Sequence, residues 1–198
     1  MSNLILQHIA KHIQLTSAQE TYFLALVKNK KLRKKQFLVQ EGDVSNGPYF
    51  VTKGILRSYA TDQNGFEHNL QFAPPGWWIV DMYSLIAQLP GTLNIDAVED
   101  SEMFLLPKKE LDKLYQEIPA FERLFRILAE NALVTFQQRL IDNLSLAAKE
   151  RYNNFCKRYP LLIQRLPQKQ VASYIGVTPE FLSKMLKSKN KNQANHVS

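Results

Sequence analysis

Apolar residues fall at every fourth position near the start of the chain, at Ile5, Ile9 and Ile13. That spacing lines one face of a helix. Thr16-Ser17-Ala18-Gln19-Glu20 follows as a capping stretch ahead of the apolar run Tyr22 to Leu26. Helices are therefore predicted over residues 1–30. From Lys31 the pattern changes. Short apolar runs recur between turn signals: Gln36 to Gln40 before Glu41-Gly42-Asp43, Pro48 to Thr52 before Lys53-Gly54, Ile55 to Ala60 before Asp62-Gln63-Asn64-Gly65, and Phe66 to Phe72 before Pro74-Pro75-Gly76. Asn64-Gly65 suits the two positive-φ positions of a tight hairpin turn. Asn94 to Val98 and Glu102 to Leu106 fit two further strands. Strands at such even spacing predict a sandwich or small barrel.

After Pro107 the period becomes helical. Glu110 to Glu117 is one short helix, and Pro119 opens a longer one reaching about Leu144. Phe121, Leu124, Phe125, Leu128, Ala132, Phe136 and Leu140 share one face of it. A stripe this long can pack on its own domain, pair with its copy in a second chain, or do both, and a dimer seam is the expected role. Glu150 to Arg158 is helical, Tyr159-Pro160 breaks it, and Arg165-Leu166-Pro167 leads into a terminal pair of helices.

That pair is carried by "QVASYIGVTPEFLSKML", Gln170 to Leu186. With Gln168 as the first position, Ala172 falls fifth, where a small side chain lets two helices approach. Gly176 falls ninth, in the turn, where a positive φ is needed. Val171, Ile175, Val177, Leu182 and Met185 supply a shared core. Thr178 caps the second helix, with Pro179 at its first position and Glu180 just inside. Glu180, Ser183, Lys184 and Lys187 then share one outward face at spacings of three and four. These side chains read DNA. Lys184 can donate to guanine O6 and N7, Glu180 can accept from cytosine N4, and Ser183 and Lys187 suit bases or phosphates. Gln168 and Lys169, at the start of the pair, join Thr178 and Pro179 as expected DNA contacts. The plain alternative is a helical hairpin that only closes the domain.

Charge sharpens this reading. The 198 residues carry a net charge of +7, yet residues 149–198 hold ten Lys/Arg and two acids, while residues 1–148 hold 15 basic and 16 acidic residues. A basic segment beside a near-neutral one is the footprint of a polyanion-binding module. The single cysteine, Cys156, can form neither an internal disulfide nor a thiolate metal site, and helix packing is its expected role. Four scattered histidines (His8, His12, His68, His196) give no metal site, and His8 and His12 are expected on a helix surface. No metal or cofactor is expected. No apolar run approaches a membrane span and the N-terminus has no secretory pattern, so a cytoplasmic location and no membrane partner are expected.

The order of elements resembles the cyclic-AMP-receptor/FNR (CRP/FNR) superfamily of bacterial transcription regulators, over nearly the whole chain. "FLVQEGDVSNGPYFVTKGILRSY" looks like the early strands of that family's β-roll, with Gly42 and Gly54 at its turns. "DQNGFEHNLQFAPPGWW" looks like its next hairpin. "KERYNNFCKRYP" and the terminal pair are similar in style to Bacteroidetes-type members. The resemblance implies an α+β fold: an N-terminal β-roll of the cyclic-nucleotide-binding type (a double-stranded β-helix) over residues 1–118, a long dimerisation helix over 119–146, and an all-α helix-turn-helix domain over 147–198.

The departures from the family are informative. Members that bind cyclic nucleotides place a Glu on the ribose hydroxyl and an Arg on the cyclic phosphate. In the matching stretch, "GWWIVDMYSLIAQLPGTLNIDA", Asp81 stands where the Glu would be and Gly91-Thr92 where the Arg pair would be. No Lys or Arg occurs between Arg57 and Lys108. A phosphate would lack its counter-charge there, which a neutral residue cannot replace. Trp77, Trp78, Asp81 and Thr92 are the expected lining of a pocket that is empty or takes an uncharged ligand. After Leu186, "KSKNKNQANHVS" has no strand pattern, so the wing of many family members is expected to be absent and the tail to be disordered. Lys189 and Lys191 could still attract phosphates.

Three functions compete. A homodimeric, sequence-specific transcription regulator that binds double-stranded DNA is the first, with a small-molecule effector and RNA polymerase as further candidate partners. A metal-dependent enzyme on a β-roll is the second, and a strand region holding only His68 argues against it. The third is a ligand-sensing or scaffold protein whose helical C-terminus binds a protein. The basic terminal segment favours the first.

Overall fold

The computed structural model describes residues 2–194, with side chains through Ser188. Two helices open the chain, α1 (Ser2–Ala10) and α2 (Ser17–Leu26). Thr16 caps α2 in the expected way: its side chain accepts from the Gln19 backbone N–H, and the Gln19 side chain reaches back to the Thr16 N–H. Eight strands follow: β1 (Lys28–Leu32), β2 (Phe37–Val39), β3 (Tyr49–Lys53), β4 (Leu56–Thr61), β5 (Glu67–Ala73), β6 (Trp78–Ile79), β7 (Asn94–Ala97) and β8 (Ser101–Leu105). A short helix, α3 (Met82–Ala87), interrupts them between β6 and β7. The rest is helical: α4 (Lys108–Glu117), α5 (Ala120–Ser145), α6 (Ala148–Arg158), α7 (Gln168–Ile175) and α8 (Pro179–Ala194). No helix among the described residues is long and apolar enough to cross a membrane.

The strands form two antiparallel four-stranded sheets, ordered β1-β8-β3-β6 and β2-β7-β4-β5. Sheet pairs side chains from both inner faces, and Val39, Val51, Leu56, Ile79, Ile95, Met103 and Leu105 fill the space between them. This is the α+β fold with a β-roll that the family pattern implied. Three elements escaped the sequence reading, β1, the two-residue β6 and α3. Lys28–Leu32 is a strand, not the end of the second helix. Its residues are almost all exposed because it lies at a sheet edge, so no apolar alternation marks it, and its lysines suit an unpaired edge. α3 was also missed; its cap is Asp81, whose Oδ1 accepts from the Ser84 N–H at 3.1 Å.

A second core packs α1, α2, α4 and the start of α5 against the roll. Phe23 stacks on Phe121, ring centroids 5.0 Å apart, and Phe50 meets His8 edge-on at 5.4 Å. His8 is therefore half-buried, not on the helix surface as expected; burial, with His12 and Lys11 nearby, lowers its pKa to about 4.

A third core determines how the terminal helices sit. Ile55, Phe72 and Val98, on the outer face of the β4–β5 sheet, pack against Phe155, Tyr159, Leu162 and Tyr174 of the helical end. Phe72 lies edge-on to Phe155 and Tyr159, with centroids at 6.1 and 5.9 Å. Burying such rings contributes ~1.5 to 3 kcal/mol each. Cys156 is half-buried at the edge of this cluster, in the packing role expected of it.

Candidate nucleic-acid interface

α7 and α8 form a helix-turn-helix by the mechanism its residue types predict. Gly176 ends α7 at φ +69°, and its N–H bonds back to the Ser173 carbonyl at 3.2 Å. Only a residue free of a Cβ takes that left-handed turn without strain. Ala172 is fully buried, which lets the helices close. Val171, Ile175 and Leu182 are buried beside it. Thr178 Oγ1 then accepts from the Phe181 N–H at 3.2 Å and starts α8.

Packing α8 through Leu182 leaves its other side to solvent. Thr178, Pro179, Glu180, Lys184 and Lys187 are exposed and Ser183 is half-buried. Gln168 and Lys169 are exposed at the start of α7. The eight expected contacts thus lie on the open side of the helix pair, none of them within its core. Phe181 was missed. It is a large aromatic, 52% exposed on the same helix. Its signal was available: an aromatic one position off the buried Leu182. The helix also continues further than expected. The tail read as disordered extends α8 through Ala194, and residues 195–198 lie outside the described residues, as do the side chains of Lys189 and Lys191. Nothing in the tail's polar composition opposes helix once α8 has nucleated it. No strand follows α8 among the described residues.

The helix pair is tied to the roll by polar contacts. The Asn69 N–H donates to Ser173 Oγ at 2.9 Å, and Ser173 Oγ donates to the Glu67 carbonyl at 2.5 Å. Asn69 Nδ2 donates to the Gln170 carbonyl at 3.3 Å. Behind these contacts, Arg57 makes a two-point bond to Asp96, 2.8 Å at each end, and a third at 2.6 Å to Glu67. The Arg57 guanidinium holds the Glu67 carboxyl below the usual carboxylate range, and Lys169 adds to that.

The expected dimer stripe divides in two. Phe121 and Leu124 are fully buried in the chain's own core, and Phe125 and Leu128 pack against that core. Phe121 and Leu124 are thus unavailable to a second chain, which corrects the expected seam at its N-terminal end. The stripe is buried first and open later, because past residue 130 the α5 side chain that meets the roll is Arg139, which is not on the stripe. Beyond residue 130 the apolar side chains are open to solvent: Ala132 is exposed, as are Leu133, Val134, Phe136, Leu140, Ile141 and Leu144, five of them more than half exposed at 59% (Leu133), 63% (Val134), 60% (Leu140), 54% (Ile141) and 80% (Leu144).

The four expected pocket residues do not converge. Trp77 packs on Tyr159 at 5.5 Å in the helical cluster. Trp78 packs between Phe50 and Phe125 at 5.1 and 5.4 Å. Thr92 is exposed. Asp81 is 1% exposed, and a Cβ at Gly91 would lie 2.2 Å from its Oδ2. A buried carboxylate therefore faces Gly91. Among the described residues, no three His, Cys, Asp or Glu side chains gather as a metal site.

Comparison with known proteins places this geometry. Residues 29–118 match the cyclic nucleotide-binding domain family. The chain is 24% identical over 170 residues to the anaerobic regulatory protein of Haemophilus influenzae, covering 80% of this chain and 65% of that one. It is 22% identical over 196 residues to the transcriptional regulatory protein btr of Bordetella pertussis, covering 93% and 80%. The chain thus spans just under two thirds of the first relative's length. Among solved structures, the fold is similar to the c-di-GMP-responsive global regulator CLP of Xanthomonas campestris, with TM-score 0.74, 15% identity and coverage of 90% and 93%. It is also similar to FixK2 of Bradyrhizobium japonicum, with TM-score 0.71, 19% identity and coverage of 84% and 86%. The chain thus carries a cyclic nucleotide-binding domain over residues 29–118, followed by a long helix and a capped helix-turn-helix, and is similar along most of its length to regulators of the CRP/FNR type.

Proposed function

We propose that the protein is a homodimeric, sequence-specific DNA-binding transcription regulator that does not respond to cyclic AMP. The observation that carries this reading is the outward face of α8: Glu180, Lys184 and Lys187 are exposed, with Ser183 half-buried among them, on a capped helix inside the basic segment. An acid amid that positive charge is repelled by phosphates, so it is favoured there only if it meets a base edge. Phe181 adds an apolar surface suited to a thymine methyl group. Residues 1–118 are the sensor domain, 119–146 the dimerisation helix and 147–198 the DNA-binding domain.

The exposed apolar face of α5, from Ala132 to Leu144, supports pairing with a second copy. Paired helices would hold two recognition helices ~34 Å apart, for successive major grooves of a two-fold-related site. The Asp81 carboxylate at Gly91, with no cation nearby in sequence, supports the absence of a cyclic phosphate. A signal at the roll would act by shifting the population of helix arrangements.

The test is binding of the purified protein to DNA upstream of its own and neighbouring genes across a salt series, with cyclic AMP in parallel. Tight binding to one fragment above competitor DNA, unchanged by cyclic AMP, is the expected result. Uniformly weak binding to every fragment would move the scaffold reading, with a protein partner for the terminal helices, to the front.

A further inference from the structure

We infer that the cavity enclosed by α5, α6 and α7 binds a small organic oxyanion, a carboxylate or phosphate carried on an apolar body. The cavity measures about 610 Å³, within the range of small-molecule sites. Four cations line it, Arg139, Arg151, Lys157 and Arg158, against one acid, Asp142.

The balance of charge is what points to an anion. Arg139 donates to the carbonyls of Leu70, Asn69 and Tyr174 at 2.7, 2.7 and 2.8 Å. Arg151 donates to the carbonyls of Asn143, Leu146 and Gly176 at 3.3, 3.2 and 3.5 Å. Both guanidiniums are half-buried, and their partners are neutral: backbone carbonyls and, for Arg139, the Tyr174 ring as well. Their Nε atoms are sealed from solvent with no acceptor. None of the four cations has a carboxylate within 4.0 Å among the described residues. The Asp142 carboxylate is occupied by the Gln138 and Asn154 amides at 3.0 and 2.9 Å. Drawing cations out of water without a counter-charge is unfavourable, and an oxyanion between them supplies charge-assisted bonds that carbonyls cannot.

Shape narrows the ligand. Val134, Phe155 and Ile175 give the cavity an apolar wall, so a bare ion would leave most of it unfilled. The position also differs from that of the DNA-reading residues. Glu180, Lys184 and Lys187 are exposed on α8, while Arg139 and Arg151 are recessed between α5 and α7, out of easy reach of a duplex backbone. A ligand here touches α5, α6 and α7 together. It would favour whichever arrangement of the recognition unit on the long helix closes around it. That last consequence rests on the DNA-binding reading; the site itself does not.

The experiment uses the full chain without DNA. Inorganic phosphate and benzoate are titrated by calorimetry and thermal unfolding, against chloride at matched ionic strength. Saturable heat and a saturating rise in Tm with benzoate or phosphate are expected, and Arg151→Gln should weaken the affinity at least tenfold. The rim variant Lys157→Gln/Arg158→Gln, at exposed positions, should do the same while keeping the parent fold. Stabilisation that tracks ionic strength alone, binding unchanged in both variants, or no saturable heat up to on the order of 10 mM would overturn the site. A drop of about one in the salt slope of DNA binding for the rim variant, with no heat from free anions, would also overturn it, by making a DNA phosphate the occupant. Loss of sequence-specific DNA binding with anion binding intact would count against the regulator reading only.

Discussion

The guanidinium of Arg139 stacks on the ring of Tyr174, 3.9 Å from its centroid, while donating to the Tyr174 carbonyl at 2.8 Å. The same side chain donates to the Asn69 and Leu70 carbonyls of β5. One residue of the long helix thus joins the roll and the helix-turn-helix. A lysine carries one point of charge and cannot cover three acceptors while stacking flat on a ring. Arg139→Lys is therefore expected to lose ~1 to 3 kcal/mol in chemical denaturation, because buried carbonyls lose their donor. Unchanged stability would show that the node is incidental.

Phe72 tests whether roll and terminal helices share a core. It is 0% exposed and surrounded by Phe155, Tyr159 and Tyr174. Phe72→Ala should destabilise by ~3 to 5 kcal/mol. Hydrogen exchange should rise in α6 and α7 as well as in β5. A rise confined to β5 would mean that the helical end is held by other contacts.

The two parts of the α5 stripe should respond differently. Leu140→Glu, at a position 60% exposed, is expected to leave the fold intact and convert a dimer to a monomer by light scattering. Phe121→Ala should instead unfold the chain more easily, by ~3 to 5 kcal/mol, with the oligomeric state of the folded fraction unchanged. A parent protein that is already monomeric would refute the seam.

At the DNA face, Lys184→Ala should weaken specific binding by ~1 to 3 kcal/mol and relax preference at one base pair. Lys169→Ala should mainly lower the salt slope, in proportion to one lost phosphate contact. Equal effects of both on every sequence would rule out direct base readout by Lys184.

His8 gives a pH signature. The unfolded chain takes up its proton from about pH 6.5 downward, whereas the buried imidazole resists until about 4. Between those values the unfolded state holds more protons, so stability falls as pH drops through that window and levels off below it. His8→Phe should flatten that slope in a denaturation series, with His12 and Lys11 left in place. A slope identical to the parent's would place the pH response elsewhere.

Much of this architecture could be read along the chain, for local reasons. The capping box at Thr16, the Asn64-Gly65 turn, Gly176 in its left-handed bend and the Thr178 cap depend on neighbours within four residues. The outward face of α8 follows from helical periodicity around the buried Leu182. That no Lys or Arg occurs between Arg57 and Lys108 is a plain fact of the sequence. Tertiary structure decided what no periodicity records. β1 is a strand because β8 offers it a paired edge, not because its lysines alternate with apolar residues. The stripe on α5 is continuous in sequence, yet Phe121 is core and Leu140 is open, because past residue 130 the side chain that meets the roll is Arg139, which is not on the stripe. Arg139 and Arg151 read as ordinary surface charges until the fold brings distant carbonyls, as far off as Asn69, within hydrogen-bonding reach. Side-chain spacing specifies a face, and only the packed neighbours determine whether that face meets protein, a ligand or water.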